Sequence, residues 1–172
     1  ESIPLIRDGG RTKVGVESTV LDLTVSPTVI LRQGGITFEE LRKIIPVVVA
    51  SGTLQDGIAK APGMRHRHYS PKAPLVLARG QGAAMVRNIC DFIVKHIQGK
   101  VGVLATEESA GKYKKAEVVI LGSRHDLAGC ARNLFTSLRK FDKLKVDIII
   151  AEIFPKRGLG AAIMERLEKA AE

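Results

Sequence analysis

The sequence predicts an α/β protein, and three observations carry that reading. From Ala73 onward, short apolar runs of strand length alternate with helical periodicities of about 10 residues or more. Those runs are continuously apolar, as strands covered on both faces are, and do not alternate like half-exposed ones. The composition, 45% hydrophobic and 26% charged over 172 residues, is that of a globular chain with enough length to bury a sizeable core.

The elements follow in order. Residues 73–79 (APLVLAR) read as a strand, and 83–97 carry apolar residues at helical spacing. Residues 100–105 (KVGVLA) are strand-like, and Thr106 is placed to N-cap the short helix TEESAGKY. A strand over 116–121 (AEVVIL) leads to a long amphipathic helix from Asp126 to Leu144, with Leu127, Leu134, Leu138 and Phe141 among its apolar positions. A strand over 146–151 (VDIIIA) and a last helix over 160–171 complete this part. The alternation implies βαβ units and a Rossmann-like parallel sheet of about four or five strands flanked by helices.

The first 50 residues differ. Ile3 to Ile6, Val14 to Leu23 and Thr28 to Arg32 read as strands separated by Asp8-Gly9-Gly10 and Ser26-Pro27. Gly34-Gly35 breaks the chain, and Thr37 with Glu40 forms a capping box for a helix from Phe38 to Ile45. Such a small set of elements buries too little for a core of its own. It is expected to be the tail of a larger α/β domain, or to pack on something else; extension of the second sheet is the alternative. Residues 51–72 have no hydrophobic period, and Pro62, Gly63 and Pro71 forbid a regular helix there. The organisation therefore reads as 1–50, a basic linker over 51–72, and a second domain over 73–172.

Charge and cysteine usage bound the function. There are 27 Lys+Arg against 18 Asp+Glu, a net +9, with 10 against 7 in residues 1–73 and 17 against 11 in residues 74–172. A basic second domain suits an anionic partner such as a nucleic acid, whereas 4% aromatic residues and no Trp disfavour a base-stacking platform. No apolar run reaches the roughly 18 residues of a membrane span, and no secretory signal opens the chain. Cys90 and Cys130 sit in apolar helical patterns, which predicts buried thiols in a reducing, cytoplasmic setting. The opening glutamate, inside what reads as an approach to a strand, leads to the expectation that the chain is a piece of a longer protein.

The linker is the most unusual feature. Lys60 to Lys72 reads KAPGMRHRHYSPK, with four Lys or Arg, two His, one Tyr and no acid. Arg65 and Arg67 offer planar donors matched to phosphate. Tyr69 can stack or hydrogen-bond, and His66 and His68 can carry charge near neutral pH. A polyanion would suit this segment, and a merely solvated basic linker would have the same composition. Glu17-Ser18-Thr19 places two hydroxyls beside a buried-looking carboxylate, able to orient a polar small molecule or simply to satisfy a strand. Arg32, ending a strand before Gln33-Gly34-Gly35, reads either as a phosphate contact or as a surface arginine. Lys156 to Gly160 precedes the last helix, where an anion is favoured, and also reads as a tight glycine turn. Gly80-Gln81-Gly82 lacks the third glycine and the acidic partner of a dinucleotide fingerprint and is discounted. No metal signature, Walker motif or carboxylate pair is present in the sequence, and no nucleophilic serine has a His or Asp partner at useful spacing.

Taken in chain order, GVESTVLDL (15–23), PTVILRQGGIT (27–37), APGMRHRHYSPKAPL (61–75), ARNLFTSLRKFD (131–142) and GLGAAIMERLEKAA (158–171) resemble the long form of threonylcarbamoyl-AMP synthase. That family joins a YrdC-like domain to a Rossmann-like C-terminal domain through a linker with a PGM…HY[SA]P motif. The resemblance implies that residues 1–50 are the C-terminal remnant of the YrdC-like catalytic domain. It implies a cytoplasmic ATP-dependent nucleotidyltransferase that makes threonylcarbamoyl-AMP and pyrophosphate from L-threonine, bicarbonate and ATP, with Mg2+. Downstream tRNA threonylcarbamoyl-transferase machinery would then modify tRNA. Ser18 matches the family's threonine-contacting serine, Arg32 an ATP-contacting arginine, and Tyr69 the linker tyrosine that closes over the nucleotide. Thr19, Arg65, Arg67 and His68 are assigned to phosphate contact or to the lid. The family's Lys-x-Arg and Ser-x-Asn motifs stand at no suitable place, so this polypeptide alone is not expected to make the adenylate. A basic RNA- or partner-binding module without catalysis is the competing class.

Overall fold

The computed structural model describes residues 3–5, 7–10, 12–45, 48–50 and 70–171. Two sheets organise the chain. The first, in the order β1-β2-β3, comprises β1 (Val20–Asp22), β2 (Thr28–Arg32) and β3 (Val48–Ala50), with α1 (Phe38–Leu41) between β2 and β3. β1 runs antiparallel and β3 parallel to β2. The second sheet comprises β4 (Leu75–Leu77), β5 (Val101–Thr106), β6 (Glu117–Gly122) and β7 (Ile148–Ala151), in the order β4-β7-β5-β6. All of its pairs are parallel.

The continuous apolar runs of the second sheet are explained by its two coverings. On one face α4 (Leu127–Leu144) and α5 (Leu159–Ala171) bring Leu134, Leu138, Phe141, Ile163 and Leu167 onto Leu104, Leu121 and Ile149. On the other, α2 (Gly82–Lys95) and the residues around the short α3 (Glu107–Ala110) bring Met85, Ile89, Ile93 and Tyr113 onto Val103, Ala105 and Ile150. Every residue of β5 is buried, as a central parallel strand requires. The core of the small sheet is far thinner: Ile30 and Leu41 are buried, with Leu21, Phe38 and Ile45 against them.

Local signals place several ends. Thr37 and Glu40 form the expected capping box on α1, and the Asp126 side chain accepts from Gly129 N at the start of α4. Other expectations are corrected. The strand expected over Ile3 to Ile6 is not formed by residues 3–5, where Ile3 and Leu5 are exposed and no ladder partner is described. The strand expected over Val14 to Leu23 is confined to β1, because Gly15 takes a left-handed φ of 78° and the backbone after it packs on helix and loop rather than on a neighbouring strand. The helix expected to reach Ile45 ends at Leu41 and gives way to turns. Cys130 is buried, whereas Cys90 is only partly so, and both are free thiols.

Thr106 makes no side-chain capping bond to α3. Its hydroxyl instead donates to Glu152 at 2.9 Å. Glu152, immediately after β7, is a fully buried carboxylate held by donors from three other segments. It accepts from Tyr113 OH at 2.6 Å, from the Ser109 hydroxyl, and from the Arg124 guanidinium at 2.6 Å. Burial, with the Glu152 carboxylate beside it, raises the Tyr113 phenol well above its ordinary pKa, so it remains a donor. Arg124 also lies 5.0 Å from the Phe154 ring centroid. Tertiary need thus claims a hydroxyl that the local pattern assigned to a cap. Glu152→Ala should destabilise the fold by about 3 kcal/mol or more, since it strands a buried set of donors; thermal denaturation followed by circular dichroism measures it.

Candidate functional site

Ser18 and Arg32 are brought together directly. β1 pairs Val20 opposite Arg32, and Ser18 stands just upstream of that pair. The Arg32 side chain reaches across, its Nε donating to the Ser18 carbonyl at 3.0 Å and a terminal nitrogen donating to the Ser18 hydroxyl at 3.1 Å. Accepting from Arg32 leaves the Ser18 O–H as a donor for something else. Ser18 is exposed and Arg32 partly exposed, so the pair is open to a solute. Thr19 is different: its hydroxyl donates to the Ile36 carbonyl at 2.6 Å and pins the loop that follows β2. Gly34 is what lets that loop lie flat, because a Cβ there would collide with the backbone of Glu17, Ser18 and Thr19. Arg65, Arg67, His68 and Tyr69 lie outside the described residues.

The same two segments are gripped from the other side by α5. Arg166 is a buried arginine whose Nε donates to Glu17 Oε2 at 2.8 Å and whose terminal nitrogen donates to the Gln33 carbonyl at 2.8 Å. Glu165, its neighbour in sequence, accepts from the Gln33 backbone N–H at 2.8 Å. Burial pushes the Glu17 carboxyl up; the Arg166 hydrogen bond, with the charges of Arg166 and Arg32, outweighs it and leaves the carboxyl below its ordinary value. Two further contacts tie the small sheet's segments to α4 and to the turn before α5. Gly15 meets the α4 backbone at Ala131 and Arg132 so closely that a Cβ would collide. The Gly158 N–H, in the glycine turn before α5, donates to the Glu39 carboxylate at 3.1 and 3.2 Å. The anion favoured at that turn is thus a carboxylate of the same chain.

The sequence pointed to Glu17 as a buried-looking carboxylate but not to its partner. The available signal was Arg166 itself, a charge three residues after Ile163 and four before Ala170, where the amphipathic spacing of AAIMERLEKAA calls for core. Gln81 and Gly82 of the discounted turn line a cavity of about 150 Å³ with Met85, Arg124 and Phe154. That is smaller than the roughly 300 Å³ at which ligand pockets begin, so it offers no room for a nucleotide. Among the described residues, no group of three or more His, Cys, Asp or Glu could hold a metal ion. No helix among them is long and apolar enough to cross a membrane.

Similarity to known proteins extends over nearly the whole chain. Residues 36–172 match the family described as threonylcarbamoyl-AMP synthase, C-terminal domain. The chain is 45% identical over 170 residues to the threonylcarbamoyl-AMP synthase of Bacillus subtilis strain 168, covering 96% of this chain and 48% of that protein. It is 43% identical over 176 residues to the protein of that name from Pyrococcus abyssi, covering 98% of this chain and 49% of the relative. A crystal structure of the Pyrococcus abyssi protein in complex with L-threonine superposes with a TM-score of 0.84 at 42% identity, over 95% of this chain and 48% of that one. A second structure of that protein, with an adjacent His and Tyr replaced by Ala, gives a TM-score of 0.84 at 41% identity, over 95% of this chain and 47% of that one. The chain spans about half the length of the relatives it matches. With its parallel four-stranded layer, its docked small sheet and these matches over nearly all its residues, the chain belongs to the threonylcarbamoyl-AMP synthase family.

Proposed function

We propose that this chain supplies part of the active site of an enzyme that makes threonylcarbamoyl-AMP, and that the direct Ser18–Arg32 contact is the observation that carries the reading. In this reaction the amino group of L-threonine attacks the bicarbonate carbon and water leaves, giving a carbamate. The carbamate oxygen attacks the ATP α-phosphate, pyrophosphate leaves, and a mixed carbamic–phosphoric anhydride results. The demands on the protein are positioning of two anionic reactants and exclusion of water, because the anhydride hydrolyses readily.

In this assignment the free Ser18 O–H binds a polar group of threonine, while Arg32 orients Ser18 and contacts ATP. A guanidinium suits the second task because its charge is permanent and its planar donors match phosphate oxygens. The linker, residues 51–72, serves as the lid between a catalytic remnant at 1–50 and a second domain at 73–172, with Tyr69 closing over the nucleotide and Arg65, Arg67 and His68 beside it. The Pyrococcus abyssi relative studied with an adjacent His and Tyr replaced supports attention to the His68-Tyr69 pair, which has the same adjacency. Mg2+ is assigned to the triphosphate, as its counter-ion. The product is consumed by tRNA-modifying transferases in the cytoplasm.

The full-length protein containing this chain tests the reading through threonine-dependent pyrophosphate release. Ser18→Ala should raise the threonine KM by about 10-fold, the loss of one hydrogen bond. Arg32→Ala should raise the ATP KM by about 10-fold or more, as befits a charged donor; unchanged constants in both variants would refute the assignment. Tyr69→Ala should weaken ATP binding and let the intermediate leak as threonine and AMP. Unaltered ATP affinity and product yield would remove Tyr69 from the lid. The 172-residue chain by itself should release no pyrophosphate in response to threonine, and robust turnover would show that it carries a complete site.

A further inference from the structure

The contacts that α5 makes are unusual in their target. Its consecutive residues Glu165 and Arg166 take both backbone groups of one residue: Gln33 N–H donates to Glu165, and the Gln33 carbonyl accepts from Arg166, each at 2.8 Å. Arg166 simultaneously donates to Glu17 at 2.8 Å. Glu17 precedes Ser18, and Gln33 follows Arg32. Each member of the site pair is therefore one Cα step, about 3.8 Å, from a group that α5 holds.

We propose that Arg166 is a positioning residue for the substrate site: by bridging Glu17 and Gln33 from the second domain, it holds Ser18 and Arg32 at hydrogen-bond distance and so sets substrate affinity. This rests on the reading of Ser18 and Arg32 as threonine and ATP contacts. It gives the second domain a part in the reaction without touching either substrate.

Three features of the geometry argue for positioning over simple adhesion. The Arg166 side chain is only 7% exposed, so its rotamer is fixed by packing. Its planar fork spans two acceptors on two different segments, a task that a single ammonium performs poorly. Adhesion between two lobes needs no buried charge, since apolar residues of similar volume hold an interface without the desolvation cost of an ion pair. What the guanidinium adds is direction: it fixes where Glu17 and Gln33 lie relative to one another. Thr19 and Gly34 complete the unit, because Thr19 ties to Ile36 and Gly34 lies on the backbone of residues 17–19. A shift of either segment must then shift both.

The test uses the full-length protein with Arg166→Met, Arg166→Lys and Glu17→Gln. Arg166→Met should raise the threonine and ATP KM values together by about 10-fold, with a smaller change in kcat. Arg166→Lys, which keeps the charge but not the fork, should recover part of that loss. Glu17→Gln, which keeps an acceptor for Nε–H, should cost less than Arg166→Met. Should Arg166→Met fail to fold, Arg166→Lys decides by itself. Both KM values unchanged while the melting temperature falls would overturn the proposal and leave Arg166 as adhesive. A second readout in the same protein separates this idea from the functional reading. Amide hydrogen exchange at residues 17–19 and 33–35 should rise in Arg166→Met while that of β5 and β7 stays put. Wild-type protein without threonine-dependent turnover would refute the functional reading, whereas unchanged exchange in the variant would refute the clamp.

Discussion

The Ser18–Arg32 pair depends on an arginine more than a hundred residues away in sequence. A small sheet whose described core is Ile30 and Leu41 has little apolar surface with which to fix the segments at its end. Arg166 supplies that fixation from α5, and α5 can do so because it is itself seated on the parallel sheet through Ile163 and Leu167, both fully buried. The rigidity of the large core is thus passed to an exposed pair of polar side chains through one buried guanidinium. Packed interiors transmit displacement rather than absorbing it, which makes this route physically reasonable.

Glu152, a fully buried carboxylate, shows the same logic elsewhere in the chain. Glu152 gathers Thr106, Ser109, Tyr113 and Arg124 from different segments at the carboxyl ends of the strands. Parallel sheets of this kind often place a ligand crevice there. Here the polar groups at that edge are spent on one another, and the adjoining cavity is small. The useful polar geometry has moved to the outer side of α5, where the other sheet is docked.

How far the sequence could be read depended on whether a signal was local. The Thr37–Glu40 box and the Asp126 cap are legible because donor and acceptor lie within one helical turn. The strands of the second sheet are legible because burial on both faces leaves a continuous apolar run. Thr106 misleads because its hydroxyl is claimed by Glu152, 46 residues on, a partner no local pattern announces. The strand expected from Val14 misleads because Gly15 takes a left-handed φ against the backbone of α4, and the backbone of residues 17–19 lies on the Gly34 loop, neither of which a local pattern announces. Glu165-Arg166 escapes a local reading for the same reason: spacing puts Arg166 on the apolar stripe of its helix but names no partner, and only the targets make the pair informative.

By itself the sequence determined the α/β class, the strand and helix order after Ala73, and, through its motifs, the family. These follow from periodicity and short-range chemistry, which are properties of neighbours along the chain. Tertiary structure alone decided that Ser18 meets Arg32, that Thr19 is occupied with Ile36, and that α5 reaches both segments at once. The first two contacts close loops of 14 and 17 residues and the α5 contacts close loops of 149 and 133, and no spacing rule encodes where a chain returns to itself.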